Sequence, residues 1–481
     1  MTSKADLNYT SLDEEITVDH LPIQGNMPKW LSGSLLRNGP AKFEVGPDKF
    51  RHWFDGFAML HRFTFHEGNV SYANKFLQSD MYKVSLKEGR IAYSQFATDP
   101  CKAAFKGEMT ESVNANVTIN KVAGDYVAMT ETPLPMAFDP QTLETLGVVH
   151  YNDDLTGHHG SAHPHYDFTR RMSVSYMTEF NMPSVFRVYG IKDNEHRRVQ
   201  IGSYTVMEPS YLHSFGMTEN YVIIAEYPYR VNPLNLLMSG KPFIENYEWR
   251  PQESAKFIVM KKEDGSIVGT YETEAFFSFH HINAFERSGE VIVDISTYST
   301  PGVVNQLYLD QLREEVNAPL QGEVTAPNAA SEGEMRRYHI LLESSTVRYE
   351  RLADATIELP TINYRRHNAR EYTVAYGVST NKRKPEAFAN QLIRVDVNGE
   401  QGKNTTFWGQ ENCYPGEPVF AEAPGVSSED DGVILSVVLD ANKGNSFLLV
   451  LDAHTFEEIG RAEVPHHIPQ GFHGEFFSHV P

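Results

Sequence analysis

Short stretches in which apolar and polar residues alternate, each doubled back at an acidic or Gly-containing turn, recur along the chain. FAMLHRFTFHEGNVSYANKF (57–76) alternates on both sides of Glu67-Gly68-Asn69, the pattern of two half-buried antiparallel strands joined by a tight turn. The same phrase returns in MAFDPQTLETLGVV (136–149), FIVMKKEDGSIVGTYE (257–272), LIRVDVNGEQGKNTTF (392–407) and FLLVLDAHTFEEIGRAEV (447–464). These are degenerate repeats of one supersecondary unit, spaced at the length of a propeller blade or multiples of it. Few long stretches of 3.6-residue periodicity lie between them. The pattern therefore predicts an all-β fold, a seven-bladed β-propeller forming a single domain over residues 1–481, with helices and loops capping one face.

Three segments depart from the alternation. Residues 1–35 read as an irregular N-terminal arm leading into SGSLLRNGP, where Gly33, Gly39 and Pro40 punctuate a short strand. Residues 301–345 read as a cap insertion: NQLYLDQLREEVN (305–317) has helical spacing, and the polar, Ala/Pro/Gly-containing stretch 318–334 reads as a mobile loop. PYRVNPLNLLMSGKPF (228–243) sets Leu234, Leu236, Leu237 and Met238 between prolines, as an exposed apolar patch or a buried connector.

A propeller brings inner strands that are remote in sequence to one axis, and four histidines occupy matching places in the pattern. His163 (SAHPHYD), His213 (PSYLHSFG), His280 (FSFHHINAFE) and His473 (PQGFHGEFF) each lie among aromatic, Gly and Ser residues at the edge of a strand-like run. Any one of twenty histidines is most simply a surface or hydrogen-bonded core residue; four in one context predict a metal site built from separate segments. Only Cys101 and Cys413 are present, so neither a thiolate cage nor a disulfide framework is available, and the ligands must be N or O. A formal net charge of -21 excludes a basic stripe for nucleic acid. The N-terminal MTSKADLNYTSLDEE has no basic, apolar leader pattern, so the expectation is a soluble, cytoplasmic protein.

The motifs RNGP (37–40), HWFDGFAMLHRF (52–63), TDPCK (98–102), AHPH (162–165), PSYLHSFG (209–216), FHHINAFE (279–286), LPTINY (359–364), EDDGVILSVV (429–438) and GFHGEF (471–476) together resemble the carotenoid cleavage oxygenases. The likeness is greatest to the branch of animal β-carotene oxygenases and the retinoid isomerohydrolase, and runs from about residue 30 to the end. It implies one non-haem Fe(II) per chain on the propeller axis, held by His163, His213, His280 and His473, with His165 and His281 in supporting or structural places. It also implies that Glu131, Glu358 and Glu417 orient His213, His280 and His473 respectively, and that Thr130 lies near an open coordination position. Phe54, Phe105, Phe279, Tyr298 and Phe472 are the aromatic candidates for a substrate tunnel.

Neutral imidazoles suit this chemistry, since four of them leave the ion its full charge. The activity implied is cleavage of a conjugated C=C bond of a carotenoid or apocarotenoid by O2 into two carbonyl products, retinal among them. The substrate would be drawn from a membrane surface that the protein touches peripherally and transiently. A stilbene-cleaving oxygenase, a retinoid isomerohydrolase using the same iron as a Lewis acid, and a non-catalytic propeller are the competing readings. Oligomeric state is open at this level.

Overall fold

The computed structural model describes residues 4–98, 113–317, 333–381 and 389–480. Among them, seven antiparallel sheets of four to six strands follow one another along the chain as the blades of a seven-bladed β-propeller. The innermost strands of blades 2 to 6 come first in each repeat: Thr118–Val122, the broken pair His159–Gly160 and His165–Asp167, Gly216–Met217, His281–Arg287 and Glu358–Thr361. Blade 7 is lined on the inside by Cys413–Pro415 and Val419–Glu422. Blade 1 takes its innermost strand, Gly474–Phe477, from the C-terminal end; it pairs with Gly33–Lys42 and so closes the ring.

Burial grades outward. Second strands such as Glu290–Thr297 and Gly432–Asp440 are buried over nearly their whole length because both faces pack against neighbouring blades. Outermost strands such as Ile267–Thr273 alternate. Each of the five phrases read from the sequence is an outer hairpin of its blade. In the first, Glu67 and Gly68 both take positive φ (48° and 81°) between His66 and Asn69, the two-residue turn whose twist matches the strands it joins.

Two expectations are corrected. The N-terminal arm is not wholly irregular: Thr17–Val18 pairs with Asn69–Phe76 of blade 1, and Ile23–Gly25 pairs with Glu458–Glu463 of blade 7, so the arm bridges the blades on either side of the closure. The cap insertion ends earlier than residue 345, because Glu334–Leu341 and Thr346–Thr356 are the third and fourth strands of blade 5. Before it, Gly302–Gln306 and Leu309–Asn317 are helices, while residues 318–332 of the expected loop lie outside the described residues. Helix Asp80–Glu88 and the short helix Pro233–Met238 also lie outside the blades, and the connecting segments are tied together by Trp53 N donating to Leu307 O (3.0 Å) and Ile244 N to Phe96 O (3.1 Å).

Candidate metal centre

Seven residues converge on the axis, one from each blade. His163 sits between the two inner segments of blade 3; His213, His280 and His473 lie just before the innermost strands of blades 4, 5 and 1. Glu131 follows the second strand of blade 2 (Asp125–Met129), Glu358 opens the inner strand of blade 6, and Glu417 lies between the two inner segments of blade 7. A strand end is where a side chain can turn into the axis without interrupting a ladder. His473 is placed by a close backbone crossing: Phe472 N donates to Asn38 O (3.1 Å) and Asn38 N to His473 O (3.0 Å). A Cβ on Gly39 would stand 2.5 Å from Gly471 Cα, so that crossing requires glycine.

The imidazoles form a tight group. One nitrogen from each of the four lies within 4.8 Å of those of the others, with His163 Nε2 3.0 Å from His213 Nε2 and His280 Nε2 3.3 Å from His473 Nε2. The other nitrogen of three of them is committed: His213 Nδ1 to Glu131 (2.7 Å), His280 Nδ1 to Glu358 (2.5 Å) and His473 Nδ1 to Glu417 (2.6 Å). An ionised carboxylate only accepts, so each Nδ1 carries the hydrogen and, in the neutral ring, each Nε2 presents a bare lone pair. Three lone pairs converging in a buried space repel one another unless a cation lies between them. A first-row ion about 2.1 Å from each nitrogen would set neighbouring ligand atoms about 3 to 4 Å apart, so the donor set and spacing fit a metal ion.

The electrostatics favour neutral rings at His163, His213 and His473 and charged carboxylates at Glu131 and Glu358. Burial, reinforced by the neighbouring histidines, holds His163 well below the usual imidazole range. Burial also lowers His213 and His473 despite their carboxylate partners. For Glu131 burial opposes ionisation, but bonds from His159 and His213 outweigh it and bring the carboxyl down to about 2. Glu358 is lowered as well; burial is again outweighed, here by His280 with help from Tyr298 and the Leu359 N–H.

A family model described as RPE65, retinal pigment epithelial membrane protein, matches residues 9–478. The chain belongs to the RPE65 family. It is 36% identical to a protein of Mustela putorius furo named mitochondrial carotenoid-cleaving dioxygenase, over 97% of this chain and 95% of the relative. It is 32% identical to the β,β-carotene 15,15'-dioxygenase of Gallus gallus, over 94% of each. Among solved structures, an ACO/RPE65 chimera superposes with a TM-score of 0.85 at 25% identity, covering 99% of both chains.

Within this member of the RPE65 family, an aromatic wall stands against the histidines. Phe54 stacks at 6.2 Å on His213 and meets Phe279 (5.7 Å) and Phe472 (5.2 Å), and Phe279 stands edge-on to His213 at 5.3 Å. Tyr298 packs against Phe279, but its hydroxyl donates to Glu358 (2.7 Å), which makes it a support for the carboxylate as well as an aromatic surface. Phe105 lies outside the described residues. Thr130 is half-buried beside Glu131, its hydroxyl 3.5 Å from Asn116 Oδ1. His165 bonds to Phe215 O and Tyr364, and His281 to Ser214, both structural arrangements.

Sequence reasoning missed the residues that hold the glutamates. Tyr211 donates to both oxygens of Glu131 (2.8 and 3.0 Å), His159 Nε2 is 3.5 Å from the same carboxylate, and Arg37 pairs with Glu417 at 2.6 Å while donating to Phe472 O. Their signal was faint: Tyr211 lies two residues from His213 and Arg37 in the RNGP motif, but nothing in either context marks a partner 80 or 380 residues away.

Proposed function

We propose that the chain is an Fe(II)-dependent oxygenase that splits a conjugated C=C bond of a carotenoid or apocarotenoid with O2, giving two carbonyl products, retinal among them. The observation that carries the reading is the set of converging imidazole lone pairs backed by three carboxylates. The names of the relatives support the substrate class.

His163, His213, His280 and His473 would hold the metal, and Glu131, Glu358 and Glu417 would fix the tautomer and aim of the last three. No carboxylate or thiolate enters the ligand set, so the ion keeps its charge. Iron(II), when bound, supplies the redox chemistry that lets dioxygen react with a closed-shell alkene. Phe54, Phe279 and Phe472 would present ring faces and edges against which a flat polyene packs, choosing the bond at the metal by position and keeping water away. The overall reaction, one alkene and one O2 to two carbonyls, is balanced without an external reductant. Incubation with β-carotene and with an apo-8′-carotenal is expected to yield retinal by chromatography from at least one of them. Hydroxystilbene cleavage with both carotenoids untouched would overturn the substrate class.

Access of an insoluble substrate calls for an apolar contact with a lipid surface. Among the described residues no helix is long and apolar enough to cross a membrane. On the short helix Pro233–Met238, Leu234, Leu237 and Met238 are 46%, 71% and 80% exposed, whereas Leu236 packs on the core. We place the peripheral contact there. The variant Leu237→Asp, Met238→Asp is expected to lower liposome binding in flotation by about ten-fold or more, since each apolar side chain contributes roughly 1.5–3 kcal/mol on burial. Unchanged binding would move the contact elsewhere. A cytoplasmic location is also our reading; fractionation of cells expressing the full chain tests it against the mitochondrial location in the Mustela relative's name.

A further inference from the structure

The metal centre has two unlike sides. His213 faces the aromatic wall of Phe54 and Phe279. His163, His280 and His473 instead line a cavity of about 1080 Å³ that extends along the axis through the inner strand ends to residues such as Lys121, Gly425 and His479. Glu475 lies in this cavity on the innermost strand of blade 1, exposed to it, two residues beyond His473. A hydrated dication cannot cross an aromatic wall without losing its water to a medium that does not replace it, which costs many kcal/mol. An open passage lined in part by polar and charged side chains lets the ion keep its water and imposes a smaller barrier.

We propose that the axial channel is the route by which a hydrated divalent cation reaches the four imidazoles, and that Glu475 draws it inward on the last step before the site. This rests on the metal-centre reading above and adds the path and the residue. Lys121, in the same channel, opposes the passage. Carboxylates focusing a field in a narrow cleft raise arrival rates of cations by 10-fold or more.

The test is the rate of cobalt(II) uptake by full-length protein stripped of metal with a chelator. Uptake is followed at pH 8 by visible absorption, with metal content at the end point. Glu475→Gln is expected to slow uptake about ten-fold and to weaken its dependence on ionic strength, with one cobalt per chain and an unchanged spectrum at completion. Ala423→Trp, which narrows the channel, is expected to slow it as well, and Lys121→Gln to speed it. Uptake at the wild-type rate in both Glu475→Gln and Ala423→Trp overturns the route, as does a Glu475→Gln protein with altered stoichiometry or spectrum and a normal rate, which would make Glu475 part of the site. Failure of the wild-type protein to bind cobalt would instead defeat the metal-centre reading itself.

Discussion

Replacement of His213 by Ala is expected to abolish metal binding and turnover together, with activity at background and metal content near zero. The loss follows from geometry: the remaining three imidazoles would hold an ion on one side only, and the vacated position faces the aromatic wall. The four histidines should differ in what else they disturb. His213→Ala, His280→Ala and His473→Ala each leave a buried carboxylate without its imidazole partner, at a cost of roughly 1–3 kcal/mol or more. His163 is bonded to none of the three carboxylates, so His163→Ala is expected to lose metal and activity with the smallest loss of stability. Metal analysis and denaturant unfolding of the four metal-free proteins check this; full metal content in any one variant removes that residue from the ligand set.

The largest stability effect is expected at Glu417. Arg37 and Glu417 pair with side-chain exposures of only 5% and 8%, and burial depresses the Arg37 guanidinium even in that pair. Glu417→Ala strands a buried cation, an effect of about 3–5 kcal/mol. Arg37→Met in the same chain should recover much of that stability without recovering activity, because His473 still lacks its acceptor. The milder Glu131→Gln, Glu358→Gln and Glu417→Gln are each expected to reduce activity or metal affinity about 10- to 100-fold. A Glu417→Ala protein as stable as wild type would contradict the assignment of Arg37 and Glu417 as a structural unit beneath His473.

The repeats were legible because the outer hairpins face solvent on one side and so keep the two-residue alternation that Ile267–Thr273 still shows. The second strands carried no such signal: VIVDIS in Glu290–Thr297 is buried on both faces and reads as a plain apolar run. The arm was misread for a related reason, since Ile23–Gly25 is only an edge strand, mostly exposed, whose partner lies at the far end of the chain. The histidines could be found because each begins or interrupts an inner strand in a distinctive aromatic setting. Arg37, Tyr211 and His159 could not, because their task is to bond a carboxylate of another blade, which for Arg37 and Glu417 is brought near only by closure of the ring.

One measurement tests the iron-dependent oxygenase most directly: turnover of an apocarotenal by iron-loaded protein under ¹⁸O₂, with products reduced at once to alcohols to stop exchange with water, beside a metal-free control. The expected result is that both fragments carry one labelled oxygen and that cleavage scales with iron content. Cleavage independent of iron, or products whose oxygen comes from water, would contradict it.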